Sequence, residues 1–353
     1  MLIVIASLGL AALLGFATHR GSVCMVRGVA EVLGGGRTHV LHSIAKAGLW
    51  SFALITALAA LEPRLAGKLA NTPLSCFSLI GGFLFGIGAA LNGGCAFSTL
   101  SRLADGRLSM LATIAGFAGG VLLHRIFAPA PHLTQLSSAQ VVVTHKVLWL
   151  ALASAAWGAF ELRRLLQTRA PGLTLLELVE SPQYRLSSAA ALIGLGNGFL
   201  FLIHGGWQYT SALQQALNGA SSPAAPLWLG VAVSAGMVLS SWRRGSFRLD
   251  LRPRASWLRR LGGGVFMGLG AVWAQGGNDT LTLFALPSAS PHAAPTLVAM
   301  LSGIALGLIA MRRLFGLGMR VVCDGDVCRV SIEAGGRQRL VGGASRLSNG
   351  MPS

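Results

Sequence analysis

The chain has 353 residues, 53% hydrophobic and 11% charged, with a net charge of +17 and a mean hydropathy of +0.64. A soluble domain carries roughly 25% charged residues, so composition excludes a soluble fold and points to a polytopic membrane protein. The basic excess is not a nucleic-acid signal, because the arginines fall between apolar runs rather than along one soluble face.

Spanning a bilayer takes ~20 apolar residues. Runs of that kind lie at residues 1–18, 43–61, 76–92, 108–128, 145–160, 186–203, 225–241, 261–275 and 294–311. The expectation is an all-α polytopic fold of about nine transmembrane helices. The first run starts apolar at Met1 with basic residues after it, so it is expected to stay as a membrane helix rather than act as a signal peptide. Arginines cluster at 20–37, 102–107, 163–185, 243–260 and 312–320. Placing those loops in the cytoplasm makes the spans alternate, with the N-terminus outside (periplasmic) and the C-terminus inside.

Two stretches resemble each other within the chain. Gly81-Gly82-Phe83-Leu84-Phe85-Gly86 begins a Gly-studded run that breaks at Asn92-Gly93-Gly94-Cys95. Gly263-Gly264-Val265-Phe266-Met267-Gly268 begins a second, which breaks at Gly276-Gly277-Asn278. A shorter pair shares Phe, His and Gly at equal spacing: Phe16 to Gly21 with His19, and Phe201 to Gly206 with His204. With the topology above, the copies run antiparallel. Broken helices in inverted repeats are a recurring transporter design, with the site between the halves. The expected organisation is a first membrane repeat at 1–128, a linking span and linker at 129–185, a second repeat at 186–315, and a cytoplasmic tail at 316–353.

A helix restarting at Cys95 would aim free N–H groups and its positive end at an anion. The competing reading makes the glycines packing residues and Cys95 a small apolar filler. Cys24 is either a second re-entrant break or a loop cysteine at the membrane face. His19 and His204 stand in paired positions, where a histidine is more often a hydrogen-bonded structural group than a ligand. Asp279, beside the second break, is ionisable near membrane depth, or else caps the restarting helix. Cys76 reads as ordinary packing. Cys24 and Cys95 alone make no metal site, and no cofactor is expected.

Residues 172–183 read either as an interfacial amphipathic helix or as a plain linker. The tail 318–341 alternates around Asp324-Gly325, which predicts a small β-hairpin, and the last dozen residues look disordered. Cys323 and Cys328 read as a thiol pair, a metal half-site or neither. A cytosolic tail would keep them reduced.

His19-Arg20-Gly21-Ser22-Val23-Cys24-Met25-Val26-Arg27-Gly28 and Asn92-Gly93-Gly94-Cys95-Ala96-Phe97-Ser98 resemble the two N-terminal signatures of the YeeE/YedE-type sulphur-transport family, bacterial inner-membrane permeases for thiosulfate. The resemblance covers about residues 5–315. It implies some nine spans in inverted repeats and no enzymatic activity. It also implies a central path in which cysteine thiols contact thiosulfate in succession through S–H hydrogen bonds. Cys24 and Cys95 match the first two of these cysteines. Where the family carries a third, in the second Gly-Gly break, this chain has Asn278. The expected path residues are Cys24, Cys95, Gly93, Gly94, Asn278, Gly276, Gly277, His19 and His204. The thiols have to be neutral, since a thiolate would repel the dianion, and weak donors bind without trapping. The expected partners are the small sulphur anion, the lipid bilayer and a cytosolic sulphur-carrier protein at the tail. Alternatives are a transporter of another small anion or selenium compound, and a membrane sulphurtransferase or thiol relay.

Overall fold

The computed structural model describes residues 2–62, 69, 72–127, 145–167, 181–217, 225–250, 256–324, 326–334 and 337–341. The helices are α1 (Leu2–Gly21), α2 (Met25–Gly35), α3 (His39–Leu61), α4 (Cys76–Asn92), α5 (Ala96–Ala104), α6 (Met110–Phe127) and α7 (His145–Gln167). They continue with α8 (Leu186–His204), α9 (Tyr209–Leu217), α10 (Ala225–Arg244), α11 (Ser256–Ala274), α12 (Asn278–Thr280) and α13 (Ala293–Phe315). Every expected span coincides with a long helix. Six described segments are long and apolar enough to cross a membrane: 2–35, 39–59, 76–104, 110–127, 186–217 and 293–315. The chain is therefore an all-α polytopic membrane protein.

Local chemistry sets several helix ends. Ser75 caps α4 reciprocally with Ser78, its Oγ accepting from Ser78 N at 3.1 Å while Ser78 Oγ accepts from Ser75 N at 3.2 Å. That capping box closes two otherwise open N–H groups. Gly316 closes α13 in the left-handed region at φ 60°.

Glycines let the helix backbones approach closely, which is how helices associate where lipid removes the usual hydrophobic drive. A Cβ at Gly88 would meet the Gly263 and Met267 backbone, and one at Gly270 would meet Phe85 and Gly81. These matches run in opposite senses along α4 and α11, so the two helices are antiparallel. Gly82 and Gly86 of α4 lie on Thr296 and Met300 of α13, and Gly116 and Gly120 of α6 lie on Leu261 and Val265 of α11. Both of these pairs run parallel. Farther out, α3 runs parallel to α8, with Ser43 Oγ donating to Leu186 O and Ser51 Oγ to Gly194 O, each at 2.9 Å.

Lys46 of α3 donates to Glu161 of α7, a carboxylate only 5% exposed. Removing one partner of a buried pair strands the other, at about 3–5 kcal/mol. Lys46→Ala should lower the thermal midpoint in detergent, and Lys46→Met with Glu161→Leu should recover it. A double variant no better than the single would dismiss the pair as a structural link.

The tail is more than a hairpin. Strands β1 (Leu317–Asp324), β2 (Val327–Ala334) and β3 (Arg337–Val341) form an antiparallel sheet in the order β1-β2-β3. The expected hairpin is there, and a third strand follows it. The expectation that Cys323 and Cys328 stay reduced, or do nothing, is corrected: they form a disulfide. The register is the cause. It sets Cys323 directly opposite Cys328, with Cα atoms 4.0 Å apart. The sheet docks on the membrane domain through Val321, Cys323 and Val330 against Ala30, Val40 and Leu186. Leu186 N also donates to Asp326 O at 2.9 Å. Cys76 is exposed rather than packed. The interfacial-helix reading of 172–183 falls largely, and the disorder expected at the end of the chain wholly, outside the described residues.

Candidate permeation site

Three breaks converge. In the first, α1 ends at Gly21 and Ser22 turns with φ 50°, a left-handed conformation rare for residues other than glycine. Cys24 then serves as the N-cap of α2 in extended backbone. In the second, α4 ends at Asn92 and Gly93 takes φ 74°. Asn92 holds this break: its Nδ2 donates to Gly94 O at 2.9 Å and to Thr99 Oγ1 at 2.8 Å, while its Oδ1 accepts from Thr113 Oγ1 at 2.7 Å. Cys95 is then the N-cap of α5. In the third, α11 ends at Ala274. Gln275 at φ 58° and Gly276 at φ 140° turn the chain, and α12 starts at Asn278, with a π-helical turn following at Leu281–Ala285. Such turns recur at functional sites.

The breaks bring Cys24 and Cys95 face to face. Both are free thiols, 2% and 1% exposed, in one buried cluster and within interaction distance of each other. Main-chain groups of Met25, Arg27, Cys95 and Ser98 lie near the two sulfurs. Cys24 is therefore a buried N-cap. Asn278 reaches the same place from the other half: its Oδ1 accepts from Ala96 N at 3.3 Å. A cavity of about 40 Å³ sits there, lined by Met25, Cys95, Phe97, Asn278, Asp279 and Leu283 among others. That is room on the scale of a water molecule.

Gly93, Gly94, Gly276 and Gly277 lie within these breaks. The two histidines do not join the thiols. His19 is buried, with Nδ1 at 3.0 Å from Ser240 Oγ and Nε2 at 3.1 Å from Asp105, so it ties α1 to α10 and to the loop after α5. His204 ends α8 and does not line the cavity. Asp279 caps a restarting helix of the neighbouring break. Its carboxylate accepts from Thr210 N at 3.1 Å and from the Thr210 hydroxyl, in the first turn of α9. Helices α2 and α5 of the first half start just after Cys24 and Cys95, and α9 and α12 of the second half start at Tyr209 and Asn278. Where the first half brings two thiol-bearing helix starts together, the second half joins the matching starts by a hydrogen-bonded carboxylate.

Glu31, Cys323 and Cys328 place their ligand atoms within 4.8 Å of one another. This group does not fit a metal: the sulfurs are bonded to each other, and Glu31 accepts from His39 at 2.8 Å and Val40 N at 2.9 Å.

Sequence reasoning passed over Arg27 and Arg102 as orientation signals. Arg27 Nη1 donates to Ser22 O at 3.1 Å, and Arg102 Nη2 donates to Gly93 O at 2.6 Å. Each guanidinium therefore holds the carbonyl two residues before one of the facing cysteines. The available signal was the recurrence of an arginine on each helix that starts at a cysteine.

Broken helices converging on a buried polar point, inside a shell of membrane-length helices, define a membrane transport protein. A family model described as sulphur transport matches residues 20–306, and the chain belongs to that family. No curated protein matches it. The protein is a sulphur transporter.

Proposed function

We propose that the protein takes up thiosulfate, or a closely related sulphur anion, across a bacterial inner membrane. The single observation that carries this reading is the face-to-face arrangement of Cys24 and Cys95 at two helix N-termini. A soft dianion there meets weak S–H donors and main-chain N–H groups, with the positive helix ends behind them. Such contacts favour entry without holding the ion, as conduction requires. Asn278 supplies an amide as the third polar group of the path.

The two halves act as inverted repeats around this point. The antiparallel α4–α11 pair, flanked by the parallel pairs α4–α13 and α6–α11, supports that symmetry. The arginines at the ends of α1, α10 and α13 support a periplasmic N-terminus and a cytoplasmic C-terminus, against which stands the Cys323–Cys328 bridge, uncommon in a cytosolic tail.

The test is flux of radiolabelled thiosulfate into liposomes holding the purified protein, with sulfate alongside. Thiosulfate should cross and sulfate, which lacks the soft terminal sulfur, should cross far more slowly. Equal flux of both, or none of either, would overturn the reading. Facing thiols also suit a persulfide relay, and the serine variants argued in the Discussion separate the two.

A further inference from the structure

Among the described residues, no carboxylate pairs with the two arginines on the basic side of the site. Arg102 is 7% exposed. Its Nε, like that of Arg27, is buried with no hydrogen-bond partner. No ion pair among the described residues involves either arginine. Arg102 lies within electrostatic reach of Arg27 and also of Arg107, Arg260 and Cys24. The carboxylate at this end, Asp105, is engaged: its Oδ1 accepts from Ser246 at 2.7 Å and Ser241 at 3.0 Å and faces His19. Buried charges are ordinarily paired, and an uncompensated one costs several kcal/mol. Two like-charged guanidinium groups within electrostatic reach of each other compound that cost.

Their anchoring leaves part of each group available. Each arginine spends one terminal nitrogen on the carbonyl two residues before a cysteine and keeps its Nε free. A guanidinium presents its N–H groups in a planar fork that fits two oxygens of one oxyanion. We infer that Arg27 and Arg102 form a second anion site, directly beside the Cys24–Cys95 pair, for a small doubly charged oxyanion. This inference rests on the transport reading above: the thiols sort for the soft sulfur end, and the arginines receive the oxygen end as the ion moves on. Because both guanidinium groups are hung from the breaks themselves, an ion between them also pulls on the backbone that places the thiols.

Equilibrium binding of sulfate to the detergent-purified full chain tests the site, because sulfate offers the oxygens without the soft sulfur. Binding should weaken about tenfold or more in Arg102→Gln and in Arg27→Gln, less in Arg102→Lys, which keeps the charge but loses the planar fork, and should survive in Cys95→Ala. Thermal midpoints screen for misfolding: Arg102→Gln loses the bond to Gly93, and Arg27→Gln provides the independent arm. Unchanged sulfate binding in both folded Gln variants, or no sulfate binding by folded wild type, overturns the site. The transport reading fails separately. A chain that binds sulfate through these arginines but moves no thiosulfate keeps the site and loses the proposed substrate.

Discussion

Cys95→Ala and Cys24→Ala should each cut thiosulfate uptake by about 10- to 100-fold, with protein still in the membrane. A hydrogen bond to a charged group is worth about 1.5–3 kcal/mol, and each 1.4 kcal/mol is tenfold. The loss falls on the ion rather than the fold, because a methyl group fills most of the space of a thiol. The two sulfurs face each other, so their effects should not add: the double variant should transport about as poorly as the worse single one. Serine separates two chemistries. A hydroxyl still donates, so Cys95→Ser should keep more flux than Cys95→Ala if the thiol only passes the ion along. A relay through a persulfide needs sulfur as nucleophile, and there serine would be as inactive as alanine. The measurement is initial uptake of labelled thiosulfate, normalised to protein in the membrane fraction. Alanine variants with full uptake would remove the thiols from the mechanism.

The parts of this site that were legible in the sequence are those with a local signature. Asn92-Gly93-Gly94 cannot continue a helix comfortably, and a cysteine at the restart invites an N-cap role, so Cys95 stands out before any fold is known. The antiparallel sense of α4 and α11 follows from counting arginine-rich loops. What stayed hidden depends on contacts across the chain. Thr210 and Asp279 are 69 residues apart, and nothing in either neighbourhood says that they meet. Arg102 looks like any basic residue at a membrane face until its guanidinium is seen folded back onto Gly93. The disulfide is a different case. A turn centred on Asp324-Gly325, as the alternation suggests, would set residue 323 opposite 326, and only the register of the folded sheet sets it opposite Cys328.

The glycines of α11 give the sharpest test of how the site is held. Alanine is a better helix former than glycine by about 1 kcal/mol, so Gly→Ala should stabilise a helix wherever the Cβ has room. At Gly262 it has room, with nothing within 4 Å. At Gly270 it would fall 2.5 Å from Phe85 N and 2.6 Å from Gly81 O, closer than carbon can stand to either. These are backbone atoms of α4, so no side chain can rotate away, and the only relief is to push the helices apart. Overpacking of this kind costs about 1–3 kcal/mol or more. The same substitution on the same helix should therefore act with opposite signs: Gly262→Ala neutral or slightly stabilising, Gly270→Ala strongly destabilising in detergent melts. The consequence reaches the chemistry. Helix α4 delivers Gly93, Gly94 and Cys95, and α11 delivers Gly276, Gly277 and Asn278. Spreading them pulls Asn278 from the Ala96 amide and shifts Cys95 from Cys24. Whatever Gly270→Ala protein reaches the membrane should thus transport poorly per molecule. Equal melting points for the two variants would mean that the α4–α11 crossing is not what holds the breaks together.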